Sequence, residues 1–251
     1  MELYKGKISV IMPAYNESAH IYGNIIETCD VFRRTKRDFE VIVVDDGSTD
    51  GTCDEAKRAA GGLVDSVIVV HYSLNNGKGN ALKEGFKHAT GDYVVFLDSD
   101  LDLHPSQLHL LFRVMRNNRA DVVIGSKHHP KSRLEYPFAR KVISRVYALI
   151  LKALFNLPLR DTQTGLKVFN LEVLKKVFPK VLCKRYAYDL ELLVNANHLG
   201  YRVAEAPVVL NFRRPRKWGR IGFKDLYHTG LDTMAIFYRL HILRYYDSIK
   251  T

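Results

Sequence analysis

Residues 92–100 read DYVVFLDSD, an apolar, β-branched run that breaks into two aspartates. Its length and composition are those of a strand buried on both faces of a sheet. Outward from it the arrangement repeats. KISVIMPA at 7–14 ends in a proline and an alanine, FEVIVVDDGS at 39–48 ends in a turn rich in Asp, Gly and Ser, and SVIVVHY at 66–72 and DVVIGS at 121–126 complete the set. Helical stretches separate these runs. One spans about Ser18 to Arg33, a polar one follows Asp50 and Thr52 to Ala60, a loop and helix cover Gly77–Ala89, and Pro105 opens another. Strands alternating with helices predict parallel βαβ units, so the expected fold class is α/β with an open, mostly parallel sheet flanked by helices.

Past residue 126 the pattern loosens. FARKVISRVYALILKALFN at 138–156 reads as a long amphipathic helix with basic residues at its start. TGLKVF at 164–169 reads as a strand, Asp189–Leu199 as a helix, and 202–212 as an apolar run broken by Pro207. The last ~30 residues mix Leu, Ile, Phe and Tyr with Arg and His at helical spacing, the pattern of an interfacial helix. The expected organisation is one domain over 1–210 and a basic amphipathic extension over 211–251, packed on that domain or on a membrane surface.

The 251 residues suffice for a full core, and 47% hydrophobic with 26% charged residues excludes a disordered or fibrous chain. Cys29, Cys53 and Cys183 are odd in number and lack finger spacing, which argues against a disulfide scaffold or structural zinc and fits a reducing cytoplasm. MELYKGKISVIMP has no signal-peptide pattern, and no 18-residue apolar run is present, so no membrane-crossing helix is expected. The net charge of +11 is unevenly spread. Residues 1–125 carry 14 Lys and Arg against 18 Asp and Glu, whereas residues 126–251 carry 24 against 9. That balance suits nucleic acid, anionic lipid or a phosphorylated substrate.

In open parallel sheets, ligands bind beyond the carboxyl ends of the strands. Here those ends carry Asn16 and Glu17, then Asp45 and Asp46, then Asp98, Asp100 and Asp102. Carboxylates gathered on one rim repel unless a cation lies among them, and oxygen ligands suit Mg²⁺ or Mn²⁺, which also gathers a diphosphate. The plainer role, capping the next helix, fits Asp50 better than the DxD placed straight after a buried strand. NNGKGN at 75–80 offers glycines and Lys78 to a phosphate, although a polar turn explains it equally well. With neither GxGxxG after the first strand nor GxxxxGK[ST], a dehydrogenase or P-loop NTPase is disfavoured.

In order along the chain, PAYNE at 13–17, VVDDGSTDGT at 43–52, NNGKGNAL at 75–82, FLDSDLDLHP at 96–105 and DTQTGLKVF at 161–169 resemble the inverting family 2 glycosyltransferases of GT-A fold. The resemblance runs over roughly 7–215. GSKHHPKSRLEYPFARKVISR at 125–145 is similar to the polyprenyl-phosphate hexose synthases, the dolichyl-phosphate mannose and glucose synthases, and DTQTGLKVF and YAYDLELL (186–193) stand closer to the glucose type. The resemblance implies transfer of a hexose, with inversion, from UDP-glucose or GDP-mannose to dolichyl or polyprenyl phosphate, with Mg²⁺ or Mn²⁺ as cofactor.

Carried over by residue, it sets the donor nucleotide against Pro13, Ala14, Tyr15, Glu17, Val44 and Asp46, with Lys78 near its phosphates. Asp98 and Asp100 would hold the metal and sugar diphosphate, with Ser99 beside them and Asp102 as a third metal candidate. Mannose synthases commonly have Gln at the Asp102 position, so the metal site departs from theirs. Lys127 stands where they have an arginine near the acceptor phosphate, keeping charge but losing the bidentate fork, and Arg140 matches a second such arginine. His128, His129 and Pro130 replace the glycines usual there; adjacent histidines rarely share an ion. A lipid phosphate is already an anion, so the chemistry calls for cations and positioning more than for a general base. Asp189 and Glu191 remain as sugar-binding or base candidates, or as helix-face structure.

LNFRRPRKWGRIGF at 210–223 places Arg213, Arg214, Arg216, Lys217 and Arg220 around Trp218, the only tryptophan. Basic residues beside an interfacial aromatic suit an anionic headgroup surface. In the related synthases a basic loop here covers the acceptor phosphate, which makes Arg214 and Arg220 candidate contacts; a solvated loop is the bland reading. With Tyr147–Leu157 and Asp232–Tyr246, it implies a cytoplasmic protein peripheral on the cytoplasmic face of a membrane. Many relatives carry membrane anchors, which leaves room for a membrane-anchored partner or a homo-oligomer. Three other readings stand beside this one: a soluble or glycan acceptor on the same fold, a nucleic-acid binder, and an inactive nucleotide-sugar-binding regulator. No stacking platform or recognition helix is evident, so no nucleic-acid partner is expected, and the intact DSD at 98–100 speaks against an inactive chain.

Overall fold

The computed structural model describes residues 6–62, 66–134, 138–184, 187–211 and 223–249, with side chains described in all of these except 134–145 and 223–226. The first half alternates as its sequence predicts. β1 (Ile8–Ala14) leads to α1 (Ile21–Arg34), β2 (Phe39–Asp46) to α2 (Thr52–Gly61), β3 (Val67–Tyr72) to α3 (Lys78–Phe86), and β4 (Tyr93–Phe96) through a short 3-10 turn to α4 (Leu108–Asn118). The second half runs β5 (Val122–Ser126), β6 (Arg133–Leu134), α5 (Phe138–Phe155), β7 (Lys167–Asn170), α6 (Leu171–Val177), α7 (Tyr188–His198), β8 (Val203–Pro207), β9 (Val209–Leu210), α8 (Phe223–Phe237) and α9 (Tyr245–Ser248), with a π-helical turn at Tyr238–Ile242.

Seven strands form one sheet in the order β3-β2-β1-β4-β7-β5-β8, and β6 pairs with β9 beside it. Every ladder of the main sheet is parallel except those of β7, which runs antiparallel to both β4 and β5. β1 and β2 are apolar on both faces because both faces are covered: α1, α2 and α4 supply one core layer, and α3, α6 and α7 the other. On α1 the layer is built by Ile21, Ile25, Cys29 and Phe32, a stripe at helical spacing.

The strand expected at 164–169 exists as β7, but reversed in direction, and the apolar run at 202–212 splits after Pro207 into β8 and β9. α6 was not anticipated from sequence; its seven residues, LEVLKKV, are too few to show a helical period. A third apolar cluster joins Leu151 and Phe155 of α5, Leu190 and Val194 of α7 and Ile236 of α8, so the C-terminal helix packs on the sheet domain. Two carbonyls of the final turn, Tyr246 and Ile249, accept from the buried Lys180 ammonium. α8 itself carries Lys224 against Asp225 and Asp232, so the basic charge of this region is not on that helix. Arg214 and Arg220 lie outside the described residues. Among the described residues no helix is long and apolar enough to cross a membrane.

Candidate active site

The carboxyl ends of β1 and β2 are tied to each other before any ligand is considered. The Asn16 N–H donates to Ser48 Oγ at 2.9 Å, Asn16 Oδ1 accepts from the Thr49 N–H at 2.9 Å, and the Glu17 N–H donates to Thr52 Oγ1 at 2.8 Å. The N-cap of α2 is Gly51, which has no side chain to cap with; Asp50, just before it, accepts from the Thr52 N–H at 3.1 Å and from the Ser18 hydroxyl at 2.9 Å, tying the α2 start to the β1 end. Pro13 and Ala14 end β1, and Tyr15 stands exposed beside them. The Val44 side chain belongs to the core with Ile11 and Leu82.

Asp45 and Asp46 diverge. Asp45 is fully buried and meets His71 Nδ1 at 2.8 Å. Among the described residues, the trio of His, Cys, Asp or Glu ligand atoms lying within 4.8 Å of one another is Asp45, Cys53 and His71. Asp46 organises the next loop: it accepts from Tyr72 Oη at 2.7 Å and from the N–H groups of Asn76 and Gly77, each at 2.9 Å. Gly47 makes room for that loop, since a Cβ there would sit 2.5 Å from the Asn75 nitrogen, and its φ of +69° suits glycine. The result is a fixed start for α3 and its first residue, Lys78.

Beyond β4, the loop of Asp98, Ser99, Asp100 and Asp102 is held by two bonds from outside and one within. Asn24 of α1 donates to the Ser99 carbonyl at 2.7 Å, the Asn211 N–H donates to the Asp102 carbonyl at 3.0 Å, and the Asp102 N–H donates to Asp100 Oδ1 at 3.1 Å. Leu101 takes φ +51° at the turn, with its side chain 1% exposed in the core. That left-handed residue costs about 1 kcal/mol, which burial of the leucine offsets. The carboxylates of Asp98, Asp100 and Asp102 are spread more widely than 4.8 Å, so Asp102 does not complete a tight three-carboxylate cradle.

The cations among these acids are lysines. Lys78 makes an ion pair with Asp98, and Lys167 of β7 makes another with Asp189 at the start of α7 while also donating to the Thr164 carbonyl. Burial pushes the Asp98 carboxyl up, but the charges of Lys78, Lys167 and Lys127 outweigh it and hold the group below its ordinary value. Asp100 gains less from them: burial and its neighbours Asp98 and Asp102 push it up to about 6. Lys167 is fully buried, and burial pulls its ammonium down against the pull of Asp189. Sequence reading missed Lys167, whose signal was a lone lysine within the otherwise apolar LKVF of DTQTGLKVF. Glu191, one turn into α7, is structural: it accepts from the Leu182 and Cys183 N–H groups at 2.8 and 2.6 Å and from Tyr246 Oη at 2.6 Å.

The DTQTG segment also fixes Lys127. Asp161 accepts from the Lys127 N–H at 3.0 Å and from the Thr164 hydroxyl at 2.7 Å, and lies 3.8 Å from Lys127 Nζ. Burial would raise the Asp161 carboxyl, but the Lys127 charge and these donors keep it low, as an anion. Lys127 and Arg160 stand at a cleft whose walls include Tyr147, Leu151, Leu157 and Leu159. Arg140 lies on α5, within the part whose side chains are not described.

Comparison with known proteins identifies the family and the fold. The family model for glycosyl transferase family 2 matches residues 9–178. The chain is 34% identical over 207 residues to glycosyltransferase AglD of Haloferax volcanii, a match covering 80% of this chain but 32% of that protein, so the chain spans about a third of that relative's length. It is 30% identical over 253 residues to the dolichyl-phosphate beta-glucosyltransferase ALG5D of Trichomonas vaginalis, covering 94% of this chain and 75% of the relative. Among solved structures it is similar to mannosyl-3-phosphoglycerate synthase from Rubrobacter xylanophilus, with TM-score 0.70 and 19% identity over 98% of this chain and 76% of that one. It is also similar to glucosyl-3-phosphoglycerate synthase from Mycobacterium tuberculosis in complex with Mn²⁺, uridine diphosphate and glucosyl-3-phosphoglycerate, with TM-score 0.66 and 24% identity over 92% of this chain and 78% of that one. These neighbours share the GT-A fold expected from the sequence. With the family model matching residues 9–178, more than half of its length, the chain belongs to glycosyl transferase family 2 and is a glycosyltransferase.

Proposed function

We propose that the chain transfers a hexose from a nucleotide sugar to a polyprenyl or dolichyl phosphate, inverting the anomeric carbon. The observation that carries this reading is the small crevice at Lys127 and Arg160, which also holds Asp161 and is backed by Tyr147 and the buried Leu151, Leu157 and Leu159, next to the exposed apolar Leu149 and Ile150 of α5. A charged head and an apolar wall are the two halves of a lipid phosphate's recognition. The names of the Trichomonas vaginalis relatives, both dolichyl-phosphate beta-glucosyltransferases, support the same acceptor.

The residues divide the work. On the donor side, the β1 and β2 ends with Tyr15, Glu17 and Asp46 receive the nucleotide, and Lys78 stands at its phosphates. Asp98 and Asp100 present hard carboxylate oxygens straight after β4, so the donor set fits Mg²⁺ or Mn²⁺. Bound there, the cation would supply positive charge to the departing nucleoside diphosphate. On the acceptor side, Lys127, held in place by Asp161, receives the phosphate; Arg140, Arg214 and Arg220 are the further cations we assign to it. The acceptor is an anion as it arrives, so its oxygen needs no base, and Asp189, neutralised by Lys167, serves to shape the sugar pocket. The membrane role rests on exposed apolar residues of α5 and α8, Leu149, Ile150, Leu231 and Met234 among them, and we assign the chain to the cytoplasmic face as a peripheral protein.

The test is a donor screen with Mn²⁺ or Mg²⁺, a short polyprenyl phosphate and labelled UDP-glucose or GDP-mannose, with Asp100→Ala as control. Transfer of label into the lipid phase, lost in the variant, is the expected result. Transfer to 3-phosphoglycerate or a free glycan but not to lipid would overturn the acceptor assignment.

A further inference from the structure

The acidic rim contains its own counter-cations, and they are not equivalent. Lys167 is fully buried, paired with Asp189 and bonded to the Thr164 carbonyl, so it cannot leave. Lys127 is tied to Asp161 through both its N–H and its charge. Lys78 differs. Its side chain is 37% exposed in the ion pair with Asp98. It is the first residue of α3, directly after Gly77, whose N–H is fixed by Asp46. The backbone is therefore anchored, while a flexible four-carbon stem carries the charge.

Resting on the donor-site reading above, we propose that Lys78 is the resident cation of the DSD motif and is exchanged for the divalent ion when the nucleotide arrives. The argument is one of charge. Lys78 reaches Asp98 from the start of α3 and occupies the carboxylate that the divalent ion would need, in an ion pair that is about one-third exposed on both sides. A divalent ion approaching Asp98 meets the ammonium, and one of the two must yield. Lys78 has nowhere better to go until a diphosphate provides a second anion near the start of α3. Rotation of its side chain then transfers the ammonium from carboxylate to phosphate, with the α3 backbone left in place. No bond forms or breaks in this step. The consequence is an order of binding: the nucleotide-free protein holds the metal weakly, and metal and nucleotide enter together.

The experiment measures Mn²⁺ binding directly, by the electron paramagnetic resonance signal of free Mn²⁺, with no acceptor and no turnover. Nucleotide-free wild type, Lys78→Met and Lys78→Arg are titrated, and each titration is repeated with UDP and with GDP. Loss of a half-exposed ion pair and of the repulsion behind it should tighten nucleotide-free Mn²⁺ binding by roughly fivefold or more in Lys78→Met. Lys78→Arg should stay as weak as wild type, because the charge remains. A nucleotide should tighten Mn²⁺ binding in wild type more than in Lys78→Met. Equal nucleotide-free affinity in wild type and Lys78→Met overturns the exchange while leaving the glycosyltransferase reading untouched. Absence of Mn²⁺ binding in every protein, with or without nucleotide, overturns the exchange together with the metal role of Asp98 and Asp100.

Discussion

Gly165 lies against the carboxylate of Asp98: a Cβ added to Gly165 would sit 2.0 Å from Oδ2 and 2.2 Å from Cγ. The turn before β7 is therefore part of the DSD site, although the two segments are far apart in sequence. Gly165→Ala has to move either Asp98 or the β7 turn. A displacement of about 1 Å at a reacting centre costs on the order of 100-fold in rate, and that loss of transfer is the expected outcome. Gly230 of α8 is the contrast, since nothing lies within 4 Å of a Cβ added there. Gly230→Ala should leave transfer unchanged and raise stability by about 0.5–1 kcal/mol through helix propensity. Rates and thermal melts of the two variants check both statements.

Lys167 and Asp189 form a buried ion pair whose members depend on each other. Lys167→Met leaves the Asp189 carboxylate buried without its partner, a loss of about 3–5 kcal/mol. Combining it with Asp189→Leu removes the stranded charge, so the double variant should recover a large part of that loss, with a coupling of about 2 kcal/mol in the cycle. Urea unfolding of the four proteins gives the coupling directly. If Asp189 also shapes the sugar pocket, the stabilised double variant still transfers no hexose.

Much of this was legible in the sequence, for identifiable reasons. β1, β2 and β4 are covered by helices on both faces, so their sequences are near-continuous apolar runs that only a strand of an open sheet explains. The acidic ends of the strands followed from local chemistry. Contacts that depend on tertiary placement were not legible. Asp46 reaches the Asn76 and Gly77 N–H groups only because β3 pairs beside β2 and returns the chain to that rim. That Gly165 abuts Asp98 and that Lys167 finds Asp189 both require β7 to enter antiparallel between β4 and β5. A four-residue strand, KVFN, shows composition but not direction.

Glu40 offers a pH test away from the active site. The residue is 6% exposed; Oε1 accepts from the Ser9 hydroxyl at 2.6 Å and from the Thr90 N–H at 2.7 Å, and Oε2 lies 2.7 Å from Lys7 Nζ. Burial raises its carboxyl, but Lys7, Ser9 and Thr90 outweigh that and set it below the ordinary 4.5. A carboxyl lowered in the folded state stabilises at pH values above the unfolded value and loses that contribution as pH falls through the folded one. Glu40→Gln should therefore cost about 1–3 kcal/mol at pH 7. The gap to wild type should narrow progressively below pH 4.5, with transfer activity at neutral pH unaffected. Denaturant melts at several pH values measure the narrowing, and a gap that stays constant into strong acid would count against the charged pairing.

On α8 and the π-helical turn after it, Leu231, Met234, Tyr238 and Ile242 are 49%, 56%, 51% and 62% exposed, spaced so that they share one side of the helix. The opposite side is fixed by Ile236 against α5 and α7, so the stripe cannot turn inward. A lipid surface would cover it, at a gain of about 1 kcal/mol for each half-exposed side chain removed from water. Leu231→Glu with Met234→Glu removes two such contributions and adds charge that anionic lipid repels. Sedimentation with vesicles of mixed neutral and anionic phospholipid should show binding weakened by about tenfold or more. Nucleotide binding should be unchanged, because Leu231 and Met234 are exposed and neither belongs to the core layers beneath the β1, β2 and β4 ends. Unaltered sedimentation would assign the stripe to a protein partner, and the loss of transfer to polyprenyl phosphate in vesicles, with transfer in detergent retained, is the result that ties it to the membrane.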